Sequence, residues 1–260
     1  MRRLFSLLLV VVLSSTASLT HAAGWGHIKG KFVFDGTAPS AASLTITKDK
    51  EYCGKFSLVD ERLVVNPDNK GIANVVVMLY VRRGKKVKIH PDLKNVSGAV
   101  ELDNNHCRFD PHVTFVRTGQ ELLIKNSDTI GHNTKIDTFS NPSTNFTVPE
   151  KGELKQTFKK PETSPVPVSC SIHPWMQGYL VIKDHPYVAV SNKDGEFEIK
   201  NLPTGKLTFV FWQEKSGYVD KVTYKGKKTR LRRGRIEIDV KDGETVDLGE
   251  IRVAADVFKK

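Results

Sequence analysis

The sequence predicts an all-β chain of more than one unit, on three observations. Short runs rich in Val, Ile, Phe and Thr recur along most of its length. Gly, Pro, Asn and Asp punctuate them at turn positions, the pattern of antiparallel strands. Helical periodicity is almost absent, and no internal repeat is evident.

The elements follow in order. Arg2 and Arg3 precede an apolar run from Leu4 to Leu13, interrupted by Ser6, and Thr20-His21-Ala22 follows. A charged start, a short apolar core and a small-residue cleavage site read as a secretory signal over residues 1–23. The run is well short of the ~20 residues that a membrane-spanning helix needs. No later segment is long and apolar enough to span, so the product is expected to be periplasmic or secreted. Ile28 to Phe34 alternates and ends at the turn Asp35-Gly36. Val75 to Val81 is continuously apolar, so it is expected to be buried on both faces. Val113–Val116 and Leu122–Ile124 flank Thr118-Gly119 and read as a hairpin. Phe146–Val148 and Leu154–Phe158 read as another, around Lys151-Gly152. Tyr179 to Ile182 is a short strand. Composition shifts at Lys183-Asp184-His185-Pro186, and further strands run to Val253. The expected units are a β-rich extension over 24–98, a central domain over 99–183 and a small C-terminal sandwich over 184–260. The extension is expected to join the central domain as one combined unit.

Formal net charge is +11, and +9 without Arg2 and Arg3. Between Lys221 and Arg235, eight of fifteen residues are Lys or Arg. Such a stretch is either a solvated hairpin tip or a surface that steers an acidic partner, a polymer or a membrane. It carries no nucleic-acid motif and one aromatic, Tyr224, so nucleic acid is not an expected partner.

Three cysteines in an exported chain allow one disulfide and leave one thiol. Cys53 and Cys107 sit in turn-like surroundings, whereas Cys170 sits among histidines and a methionine. The economical assignment is a Cys53–Cys107 disulfide with Cys170 kept as a metal thiolate.

Two segments carry the candidate chemistry. One is Asn126-Ser-Asp-Thr-Ile-Gly-His132-Asn133, just after a strand; the other is Cys170-Ser-Ile-His173-Pro174-Trp-Met176, just before one. His132 lies 38 residues before Cys170, so one histidine arrives from a separate loop. A thiolate, two imidazoles and a thioether suit copper cycling between two oxidation states. Zinc would accept Cys and two His, but a methionine ligand argues against it. A Cys170–His173 catalytic pair is the weaker alternative, because no oxyanion site is evident.

The Cys170–Gly178 segment followed by Tyr179–Ile182 resembles the ligand loop of the amicyanin branch of the cupredoxins, and Asn126–Asn133 resembles the histidine loop shared with plastocyanins. The resemblance spans about residues 99–183. It implies a Greek-key β-sandwich holding one copper ion through His132, Cys170, His173 and axial Met176. It also implies that Asn133 braces the two loops, and that electrons leave at the His173 edge. Residues 184–253, with Asp194-Gly195 and Leu202-Pro203-Thr-Gly205, resemble carboxypeptidase regulatory-like (transthyretin-like) modules, which implies a scaffold. The function so implied is one-electron transfer to an exported redox partner, with no enzymatic activity; the basic stretch would suit a partner of acidic character. The alternative is a copper-binding structural, storage or delivery protein.

Overall fold

The computed structural model describes residues 24–259, so the expected signal segment lies outside the described residues. Strands dominate the described chain, with one short α-helix, Lys50–Cys53, and four short 3-10 turns. The all-β expectation holds, and two β-sandwiches stand side by side.

The first sandwich faces two sheets across a core that includes Leu102, Phe109, Ile124, Ile136, Val168 and Leu180. One sheet runs in the order Val113–Arg117, Gln177–Lys183, Val166–Ser169, His132–Ile136, Thr144–Val148. The other runs Arg108–Asp110, Val100–Asn105, Glu121–Asn126, Glu153–Thr157. Neither expected hairpin exists. Val113–Arg117 pairs in parallel with Gln177–Lys183, while Glu121–Asn126 pairs with Val100–Asn105 and Glu153–Thr157. The turn between them passes from sheet to sheet: the Thr118 N–H donates to Lys183 O, and the Gly119 N–H donates to Phe158 O. Thr144–Val148 and Glu153–Thr157 are divided between the two sheets in the same way. Turn residues mark where the chain bends but not which sheet the next strand joins.

The N-terminal extension is tied to this sandwich, as expected, by the Cys53–Cys107 disulfide, but its strands pair elsewhere. Trp25–Asp35 lies between Glu196–Pro203, antiparallel, and Thr245–Ala254, parallel. Without it those two strands would be left with open edges. It also places the buried Ile28, Phe32 and Phe34 in the second core, with Phe211, Leu248 and Ile251. Close backbone contact seals this junction. Gly195 has φ +80°, and a Cβ there would stand 2.2 Å from Phe32 O.

Of the run Val75–Val81, Val75–Leu79 is buried as expected, whereas Tyr80 is 38% exposed and Val81 is half-buried; the strand itself is Val76–Leu79. It lies between Val188–Val190 and Gly205–Gln213. Val77 and Leu79 enter the second core. Val76 and Met78 face the other way, against Val113 and Val181 of the first sandwich. This strand therefore contributes apolar contact both within and between the sandwiches.

Where the two units meet, His185 is 2% exposed and its Nδ1 accepts the Tyr187 N–H at 3.2 Å. Burial pushes its pKa down to about 4. Above pH 6.5 the ring is neutral in both folded and unfolded chain, so it imposes no pH dependence there. As pH falls from 6.5 towards 4, the unfolded chain takes up the proton first, and stability drops by about 3 kcal/mol. Urea unfolding at pH 7 and pH 4.5 checks this: the loss should be clearly smaller in His185→Asn. Equal losses in the two proteins would show that His185 is not responsible.

Candidate metal centre

The upstream loop is shaped by Asn126, whose side-chain amide donates to the carbonyls of Ile130, Val148 and Pro149 at 2.8 to 3.0 Å. Its Oδ1 accepts the Asp128 N–H at 3.0 Å. The loop is thus folded back so that Asp128 faces His132, the first residue of its strand. The downstream loop is a tight turn. The Cys170 N–H donates to Met176 O at 3.2 Å, and the Met176 N–H donates to His173 O at 2.9 Å. Asn133 ties the two together, as the sequence resemblance implies: its Oδ1 accepts the N–H groups of Ser171 at 2.7 Å and Ile172 at 3.2 Å.

These loops bring His132, Cys170 and His173 together, with one ligand atom from each within 4.8 Å of the others. All three are buried. The Nδ1 atoms of the two histidines face each other at 2.9 Å, and Cys170 Sγ lies 3.9 Å from His173 Nδ1. Met176 is 1% exposed and shares the apolar cluster of Cys170. The far nitrogens settle the tautomers. His132 Nε2 meets Asp128 Oδ2 at 2.8 Å, and His173 Nε2 meets Asp49 Oδ2 at 2.7 Å. A carboxylate only accepts, so each Nε2 carries a hydrogen, and in the neutral ring each Nδ1 turns a lone pair inward. Two nitrogens at hydrogen-bond distance and a sulfur converging in a buried site need a shared proton or a metal ion among them, and the donor set fits a soft or borderline metal.

The electrostatics agree. Burial pushes the Cys170 thiol up, but its side-chain contacts with His132 and His173 and the hydrogen bonds from the Asn133 and His173 backbone N–H groups outweigh it and bring the pKa down to about 6. A thiol poised this way is a ready thiolate ligand. Burial also opposes ionisation of Asp128. Its contacts with His132, the N–H groups of Cys107 and His106 and the Tyr52 hydroxyl prevail, and hold it below the usual carboxylate range. His132, pushed down by burial, is raised on balance by Asp128 and Cys170.

Three residues that the sequence reading missed complete the centre. Asp128 accepts from the Tyr52 hydroxyl at 2.9 Å, the His106 N–H at 2.7 Å and the Cys107 N–H at 2.8 Å. Tyr52 and Asp49 come from the N-terminal extension, on and just before the helix Lys50–Cys53. Cys53 is bonded to Cys107, which ties that helix to the first sandwich. Asp128 could have been found, since it stands four residues before His132 within the quoted segment. Asp49 carries no such signal, being 124 residues from its partner. One expectation changes as a result. His173 is 0% exposed, with Asp49 over its Nε2, so it presents no open edge. Trp175, half-buried and with its ring centroid 5.2 Å from that of His173, is the aromatic leading outward. Cys107, Asp128 and His132 form a second close group, but the Cys107 sulfur is engaged in the disulfide.

No family model and no curated protein matches this chain. Among solved structures it is similar to an oxidized mutant amicyanin at 18% identity, over 33% of this chain and 82% of that one, with TM-score 0.30. It is also similar to a copper-containing nitrite reductase from Thermus scotoductus at 19% identity, over 40% of this chain and 25% of that one, with TM-score 0.29. A purple cupredoxin from Nitrosopumilus maritimus matches at 16% identity, over 33% of this chain and 99% of that one, with TM-score 0.28. Similarity at this level says nothing of chemistry, which rests on the donor groups themselves.

Asp128→Asn sets an amide where buried N–H groups need an acceptor, and should destabilise the metal-free protein by about 3 kcal/mol. Asp49 has a side chain 46% exposed, and its pairing is worth at most about 1 kcal/mol. Denaturant unfolding of Asp128→Asn and Asp49→Ala checks the contrast. Similar small losses would contradict the role given to Asp128.

Proposed function

We propose that this chain is an exported type 1 copper protein that binds one ion through His132, Cys170, His173 and Met176 and acts in one-electron transfer. The observation that carries the reading is the convergence of two inward Nδ1 lone pairs and a thiol of lowered pKa, with both Nε2 atoms fixed by carboxylates. Bound copper would supply a centre that changes charge by one electron. The chain's own residues hold the geometry: Asp128 and Asp49 fix the two rings, and Asn133 braces both loops. The apolar cluster around Met176 excludes water. Four protein donors leave no position for a substrate, which supports a carrier and not an enzyme. The buried disulfide suits an oxidising compartment, and no helix among the described residues is long and apolar enough to cross a membrane. Electrons would pass between His173 and the surface through Trp175, towards an exported redox partner whose acidic character would complement the net positive charge.

The Asp49 cover favours a second reading, copper storage or delivery, because a shielded imidazole slows exchange with a partner. The two readings differ in rate, and not in the ligand set.

Titration of the protein from Gly24 onward with Cu(II) should give an intense thiolate-to-copper band in the visible. It should saturate at one equivalent and be absent in Cys170→Ser. In the loaded protein, Asp49→Ala should speed electron exchange with a small oxidant several-fold if transfer is the function. Slow exchange in both forms, with tight retention of reduced copper, would support storage. A protein that stays colourless and takes up no copper would refute both.

A further inference from the structure

A second feature lies at the far end of the first sandwich. The strand Gln177–Lys183 starts beside the metal loop and, at about 3.3 Å per residue, carries Lys183 about 20 Å away from it. There a cleft of about 810 Å³ opens between the two sandwiches. Arg82, Arg83, Lys85, Lys160, Arg233 and Arg235 line it. None of these six lies within 4.0 Å of the carboxylate of Glu162 or Asp184, the two acids that line the cleft with them. Glu162 is already engaged by the N–H groups of Phe139, Ser140 and Asn141 at 2.8 to 3.2 Å. Lys183, at the cleft floor, donates to the carbonyls of Glu162 and Thr163 at 2.6 and 3.1 Å.

Two aromatic rings accompany the charge. Phe139 is 76% exposed, and Tyr80 is 38% exposed. The Arg235 guanidinium lies 3.8 Å over the Tyr80 ring, while its Nε is buried with no hydrogen-bond partner. Stacking holds that cation in place without neutralising it. Like charges gathered in a concave site repel one another, and an anion entering the cleft relieves the repulsion.

From this arrangement we infer that the cleft binds a linear anionic polysaccharide, with its carboxylate or sulfate groups on the arginines and its sugar rings packed on Phe139 and Tyr80. A flat bilayer cannot place its anions inside a cleft. An acidic peptide carries its carboxylates on flexible side chains and loses more freedom on binding than a sugar acid, whose anions sit on a stiff ring. Of the basic stretch Lys221–Arg235, Arg233 and Arg235 line the cleft. The hairpin lysines Lys227 and Lys228 lie on an exposed edge strand.

Heparin, a sulfated uronic polysaccharide, serves as the probe, with affinity for the full chain measured at low and moderate salt. Arg83→Glu with Arg233→Glu should weaken binding about tenfold, two exposed ion pairs being lost. Lys227→Glu with Lys228→Glu makes the same charge change outside the cleft and should weaken it much less. Phe139→Ala should weaken binding several-fold without altering its salt dependence, because that contact is apolar. All the substituted side chains are exposed, so the fold should survive. Equal losses from both charge pairs would overturn the proposal, as would tighter binding to polyglutamate or to phosphatidylglycerol vesicles than to heparin.

Discussion

A carboxylate with no exposure to water, Asp128, is tolerated only because every side of it is occupied. Its partners come from three parts of the chain. Tyr52 belongs to the extension, His106 and Cys107 to the hairpin of the disulfide, and His132 to the histidine loop. Losing any one of them would leave the others facing an underpaired buried charge. The same contact that fixes the His132 ring therefore also fixes how the extension sits on the first sandwich.

That constraint explains the architecture around it. The extension contributes Trp25–Asp35 and Val76–Leu79 to the second sandwich, yet between those strands it reaches across to the metal loops. The disulfide anchors the middle of that excursion, and Asp49 lands on His173. The two sandwiches are thus joined by a shared apolar cluster and by a strap whose polar side chains finish the site. The candidate metal site lies at one end of the first sandwich and concentrated positive charge at the other, so the two proposed kinds of binding would be separated by the length of a strand.

Much of this was legible in the sequence, and the divide is physical. The all-β class, the buried Val76–Leu79 strand and the chemistry-bearing loops follow from local features: alternation, unbroken apolar runs and side-chain types at short spacing. The Cys53–Cys107 bond follows from three thiols of which one, Cys170, sits among candidate metal ligands. What was not legible depends on contacts distant in sequence. The partner of Trp25–Asp35 is set by strands some 170 and 220 residues on, and strand edges of similar composition do not announce their neighbours. The hairpins at Gly119 and Gly152 failed for the same reason, since a turn signal does not say which sheet comes next. Asp49 was invisible because a lone aspartate among lysines has no pattern. His173 was expected at an open edge because the loop resemblance says nothing of what another part of the chain lays over it.

The central claim is that both histidines turn Nδ1 towards a metal while carboxylates hold Nε2–H. The most direct test is the ¹⁵N spectrum of the imidazole rings in the protein loaded with diamagnetic Cu(I). For His132 and His173 the account predicts a protonated Nε2 in each ring, slow to exchange its hydrogen, and an Nδ1 shifted by coordination. A protonated Nδ1 on either ring, or shifts unchanged by the metal, would contradict it.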